Sequence, residues 1–125
     1  PELPEVETMV RGIRPSVEGR RVAAMSACPC SCRPLSLSPP IDEFARRVVG
    51  TEVVGVRRLA KRAVIDLSSK ESIVIEPRMT GLLLLADPPD PDHLRLEWRF
   101  QRGNKRSTVW FWDRRGLGVV RLLGD

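Results

Sequence analysis

The sequence predicts a mostly β domain, a sandwich or barrel flanked by two α-helices. Apolar residues recur at helical spacing in two stretches, one at the start and one in the middle. From Thr51 onward the spacing changes to period two. Gly- and Pro-rich turns cut the chain into short pieces, and the strand count comes to about seven or eight.

The first helix covers residues 1–14. Pro4 suits a first helical turn, where a missing N–H breaks no hydrogen bond. Val6, Met9, Val10 and Ile13 then form one apolar stripe, with Glu5, Glu7, Thr8 and Arg11 on the outer face. Pro15 is expected to end this helix and Gly19 to turn the chain. Residues 20–27 read as a strand. Residues 28–40 hold four prolines and several serines, and are expected to be a loop. Ile41, Phe44, Ala45 and Val48 mark the second helix. Asp42 and Glu43 lie in its first turn, Arg46 and Arg47 near its end, and Gly50 is its C-terminal stop.

The strands follow. Val54, Val56 and Arg58 alternate with smaller or polar neighbours. Residues 63–67 and 72–76, joined by Ser68-Ser69-Lys70-Glu71, read as a hairpin. Leu94, Leu96, Trp98 and Phe100 alternate with His93, Arg95, Glu97 and Arg99, which predicts one buried and one polar face. A turn at Gly103-Asn104 leads to a strand over 107–112, and 117–123 is the last.

Composition narrows the function classes. The chain has 125 residues, 42% hydrophobic and 30% charged, enough for one domain with one core. Its longest apolar run, residues 82–86, is far below the roughly 20 residues of a membrane span. No basic, then apolar, then small-residue pattern opens it, so no signal peptide is expected. Lys and Arg number 21 against 16 Asp and Glu, a net charge of +5 that favours a polyanionic partner without identifying one. Cys28, Cys30 and Cys32 lack the paired C-x-x-C pattern of zinc sites, and His93 is the one histidine. Reduced cysteines in a loop or strand edge are expected, as in a cytoplasmic protein.

The opening residues carry the chemistry. A prolyl amine at a free N-terminus is a secondary amine. In its neutral form it can attack an electrophilic sugar carbon and form an iminium. The alternative is that Pro1 merely starts a helix. Pro1-Glu2-Leu3-Pro4-Glu5-Val6-Glu7-Thr8 closely resembles the N-terminal signature of formamidopyrimidine-DNA glycosylases, with Leu3 favouring the purine-specific branch over the endonuclease VIII branch. Leu59-Ala60-Lys61-Arg62 resembles the segment carrying the family's β-hairpin lysine. Arg78-Met79-Thr80-Gly81 resembles its methionine turn, and the stretch from Phe111 to Gly118 its Asp-x-Arg-x-Phe-Gly region.

The resemblance spans residues 1 to about 120 and implies an eight-stranded β-sandwich with two helices. It implies a bifunctional glycosylase and AP lyase that excises oxidised purines, 8-oxoguanine and formamidopyrimidines, from double-stranded DNA. Pro1 would be the nucleophile, Glu2 the general acid that opens the sugar ring, and Lys61 a DNA-backbone contact that assists catalysis. Met79, Arg115 and Leu117 would fill the gap left by the extruded nucleotide, with Arg114 and Glu5 also on the DNA side. The location implied is the bacterial cytoplasm, at the nucleoid, and the full-length protein would be a monomer.

Departures from the family pattern are local. Leu117 stands where Phe is usual, Gly116 where Arg is common, and Glu76-Pro77-Arg78 where His-Leu-Gly precedes the methionine. Residues 1–125 would form the N-terminal catalytic domain alone. The family's helix–two-turn–helix domain and its zinc finger have no counterpart here, so the fragment is expected to hold no zinc, to bind DNA weakly and to show little activity. Three other readings stand beside this one: a DNA-binding module of the same fold without catalysis, an endonuclease VIII-like glycosylase for oxidised pyrimidines, and a basic β-sandwich used for protein contacts.

Overall fold

The computed structural model describes residues 1–124. Helix α1 (Leu3–Val17) and helix α2 (Ile41–Val48) accompany nine strands: β1 (Arg21–Ala27), β2 (Ser36–Ser38), β3 (Val53–Leu59), β4 (Arg62–Leu67), β5 (Ser72–Glu76), β6 (Gly81–Leu84), β7 (Leu94–Arg102), β8 (Lys105–Asp113) and β9 (Val119–Leu123). They form two sheets, ordered β1-β7-β8-β6 and β2-β9-β5-β4-β3. The fold is therefore a β-sandwich with two helices, as the sequence implies, with one strand more than eight.

Each helix closes one open side of the sandwich. α2 packs on β1 and β2, the edge strands of the two sheets on one side. α1 packs on β3 and β6, the edge strands on the other, and reaches β4 and β8. Covering edges this way also keeps their unpaired backbone groups from templating aggregation. Val6, Val10, Ile13 and Val17 form the buried stripe of α1. Arg14 Nε donates to the Val56 carbonyl at 3.0 Å, and Arg58 Nε meets Glu7 Oε1 at 2.8 Å, so α1 is tied to β3 along its length. Between the sheets, Trp98, Phe100, Phe111 and Phe44 pack with Ile65, Ile73 and Ile75 in one core.

Several expectations are corrected. Pro15 lies inside α1 rather than ending it. The helix runs one short turn further because Val17 extends the apolar stripe into the core, and Glu18 N–H still reaches the Arg14 carbonyl at 2.9 Å. The expected loop over 28–40 contains β2, three residues paired in parallel with β9, a contact set by tertiary packing alone. β6 falls in the leucine run at 82–85, which has no period-two signal. A bulge between Val53 and Gly55 turns Val53 and Val56 inward and leaves Val54 61% exposed. Another, between Leu94 and Leu96, places Arg95 in the interior at 5% exposure, against the polar face predicted for it.

The cysteines are the last correction. Cys30 and Cys32 are disulfide-bonded, and Cys28 is free. Two residues apart in a segment that bends at Cys32, their Cα atoms are 5.4 Å from each other, inside the usual range for a disulfide.

Candidate active site

Residue 1 precedes α1 directly, so sealing the β3–β6 side with α1 brings the start of the chain to the β3–β4 and β5–β6 turns. A cavity of 430 Å³ opens there, lined by Pro1, Glu2, Lys61, Glu76, Arg78, Met79 and Leu117. The first turn is held by its own residues. Glu2 is the N-cap and Glu5 the third residue of the helix. Glu2 N–H donates to Glu5 Oε1 at 3.0 Å. Glu5 is thus engaged in capping and does not line the cavity.

Lys61 sits at the tip of the β3–β4 hairpin, just after Ala60, whose φ of 53° gives the tight turn. Its Nζ lies 3.3 Å from Glu2 Oε2, which joins hairpin and helix start in one solvent-facing ion pair. Met79 is 66% exposed in the β5–β6 turn, a large apolar side chain held in solvent. Arg78 beside it has φ 54°, and its Nε meets Glu76 Oε2 at 2.9 Å. Arg62 Nε reaches the other Glu76 oxygen at 3.2 Å. Partial burial raises the Glu76 carboxyl, but the Arg62 and Arg78 guanidinium groups outweigh it and hold the group below its ordinary range.

The loop after β8 is fastened to the methionine turn by Asp113, which is fully buried. Asp113 Oδ1 accepts from the Thr80 hydroxyl at 2.5 Å, and Oδ2 from Gly118 N–H at 2.8 Å. Thr80 Oγ1 in turn accepts from Arg115 N–H at 3.0 Å. Met79 and Leu117 are therefore held on one frame. Gly81 and Gly118 permit it: a Cβ at Gly81 would lie 2.6 Å from the Pro77 carbonyl oxygen, and one at Gly118 would lie 2.7 Å from the Phe111 ring.

The structure thus gathers Pro1, Glu2, Lys61, Met79 and Leu117 around one cavity. Arg114 and Arg115 are exposed on the adjoining loop but do not line it. The tie through Asp113 and Thr80 escaped sequence reasoning, because its partners are 33 residues apart. Its one sequence signal was the tight grouping of Asp113 with Gly116 and Gly118. Among the described residues no group of three or more His, Cys, Asp or Glu could hold a metal ion, and two of the three cysteine sulfurs are bonded to each other. Among the described residues no helix is long and apolar enough to cross a membrane.

Fold and site together define a two-sheet domain whose first residue opens into a cleft of cations, the carboxylates of Glu2 and Glu76, the exposed Met79 and the half-buried Leu117. The chain belongs to the formamidopyrimidine-DNA glycosylase N-terminal domain family, whose model matches residues 1–120. It is 33% identical to the formamidopyrimidine-DNA glycosylase of Chloroflexus aurantiacus, over 98% of this chain and 43% of that protein. It is 40% identical to that of Carboxydothermus hydrogenoformans, over 73% of this chain and 34% of that protein. The chain therefore spans less than half the length of these relatives. Among solved structures, Lactococcus lactis formamidopyrimidine-DNA glycosylase non-covalently bound to DNA containing an AP site has the same fold. Its TM-score is 0.79 at 22% identity, over 98% of this chain and 45% of that one. A complex of the LlFpg protein with THF-DNA and an inhibitor gives a TM-score of 0.82 at 24% identity, over 98% and 43%.

Proposed function

We propose that this chain is the catalytic N-terminal domain of a base-excision repair enzyme, a bifunctional DNA glycosylase and AP lyase acting on oxidised purines in double-stranded DNA. The observation that carries this reading is the meeting of Pro1, Glu2 and Lys61 at one cavity, with Met79 and Leu117 beside them.

The damaged nucleotide leaves the base stack, because its sugar carbon is out of reach inside the duplex. The uncharged Pro1 nitrogen attacks C1′, and the base departs with the electron pair of its bond to C1′ and the proton that the prolyl nitrogen gives up. Glu2, acting as general acid, delivers a proton to the ring oxygen, and the sugar opens to an iminium on Pro1. The iminium acidifies the adjacent C2′ protons. Loss of one expels the 3′-phosphate, and a second elimination expels the 5′-phosphate. Lys61, paired with Glu2 at 3.3 Å, exchanges that partner for a backbone phosphate when DNA enters.

Met79 and Leu117 occupy the vacated space, offsetting part of an unstacking cost of a few kcal/mol. Arg115 faces the strand opposite, Arg114 contacts phosphate, and Glu5 serves through the backbone of Glu2. The whole protein acts as a monomer at the nucleoid.

The test is strand incision of a duplex carrying 8-oxoguanine opposite cytosine, by protein whose first residue is an unblocked Pro1. The expected products end in phosphate on both sides of a one-nucleotide gap, and Pro1→Gly abolishes them. Unchanged incision by Pro1→Gly would refute the assignment.

A further inference from the structure

A second cavity, of 280 Å³, lies on the α2 side and shares no lining residue with the first. Cys28, Cys30 and Cys32 line it, together with Leu35, Ile41 and Arg95. The Cys30–Cys32 disulfide closes a small ring that fixes the backbone immediately before Arg33. The Arg33 carbonyl accepts from Arg95 Nη1. The buried Arg95 also donates from Nε to the Asp113 carbonyl at 2.8 Å, while its Nη2 has no partner. A Cβ on Gly116 would lie 2.9 Å from the Arg33 oxygen and 3.0 Å from Nη2, so the 113–118 loop rests directly on this contact. From the Arg33 carbonyl, one residue beyond Cys32, hydrogen bonds through Arg95 reach Asp113, whose carboxylate holds Thr80 and Gly118.

We propose that Cys30 and Cys32 form a reversible thiol–disulfide site, exchanged by a small dithiol, that governs how firmly the 113–118 loop is held. An external thiolate attacks one sulfur and the Cys30–Cys32 bond breaks, giving a mixed disulfide. The second thiolate of the dithiol displaces the protein sulfur and leaves as a cyclic disulfide. Cys30 and Cys32 end as thiols, having gained two electrons and two protons, and the dithiol has lost them. Cys28 stays out of the exchange: burial, then the nearby Glu97 charge, push its thiol up, so little of it is thiolate. Once the ring opens, residues 30–33 regain backbone freedom and the Arg33 carbonyl withdraws. Two buried nitrogens of Arg95 are then unpartnered, a state disfavoured enough to move the guanidinium and loosen Asp113. The consequence for DNA rests on the proposed function, whereas the device itself does not.

The experiment uses the whole chain without DNA. Alkylation after unfolding should find one reactive thiol in the air-oxidised protein and three after dithiothreitol. Amide hydrogen exchange at Arg115 and Gly118 should speed up about tenfold on reduction, with residues 73–75 unchanged as a check on the fold. The double variant Cys30→Ser, Cys32→Ser should exchange at the reduced rate and ignore dithiothreitol. Three reactive thiols before reduction, or exchange at Arg115 and Gly118 that reduction leaves unaltered in the unsubstituted protein, would overturn the proposal. These readouts need no sugar chemistry, so failure of the repair assignment leaves them standing.

Discussion

Replacing Asp113 should cost more stability than its single position suggests. Its two carboxyl oxygens satisfy the Thr80 hydroxyl and the Gly118 N–H in a fully buried setting. Asp113→Ala orphans both, at about 1 to 3 kcal/mol each, partly relieved if water enters. A net loss of about 2 to 4 kcal/mol follows. With unfolding entropy near 2.1 cal/mol/K per residue, 125 residues give about 0.26 kcal/mol/K, so Tm should fall by roughly 8 to 15 °C. Asp113→Asn keeps the shape and one acceptor, and its amide can donate to the Thr80 oxygen, so its loss should be near 1 kcal/mol. Urea denaturation of the three proteins measures both values. If Ala cost under about 0.5 kcal/mol, or as little as Asn, the buried tie between the two turns would not be what holds the frame.

Other expectations concern different parts of the fold. Gly81→Ala places a Cβ 2.6 Å from the Pro77 carbonyl oxygen and 2.8 Å from the Phe111 ring, so it should destabilise by about 1 to 3 kcal/mol, read as a lower urea midpoint. Acid should weaken the protein by a known route. The Arg57 hydrogen bond holds Asp66 below its ordinary range against partial burial, and Arg62 and Arg78 do the same for Glu76. Carboxyls depressed in the folded state stabilise it above the ordinary carboxylate range, and that contribution is lost as pH falls through the folded value. Tm should therefore be nearly flat above about pH 5 and drop below about pH 4, with Asp66→Asn flattening part of the drop in calorimetric scans. Lys61→Ala should reduce the slope of log affinity against log salt by about 1 on abasic-site DNA, and an unchanged slope would remove Lys61 from the phosphate contacts.

Much of this architecture was legible because local pattern and tertiary packing agree. The stripes from Val6 to Ile13 and from Ile41 to Val48 bury the faces their period marks, and the 63–76 hairpin pairs as its turn marks. Where a bulge intervenes, period counting fails, as at Val54 and Arg95. Where the partner strand is far away in sequence, as for β2 on β9, no local signal exists. The candidate site divides the same way. Pro1, Glu2, Lys61, Met79 and Leu117 stood out through motifs at separate points in the chain, and the fold brings them together. Glu5, placed on the DNA side by its motif, makes a local contact instead, accepting from the Glu2 N–H within the first turn. The buried frame of Asp113, Thr80 and Arg95 consists of hydrogen bonds across sheets and turns, which residue spacing does not encode.

The most direct measurement maps a covalent bond. Protein with an unblocked first residue is incubated with duplex containing an abasic site under sodium borohydride, digested, and read by mass spectrometry. Reduced sugar should be found attached to the nitrogen of Pro1. Attachment at Lys61, or no attachment while Pro1 is verifiably free, would contradict the role given to Pro1.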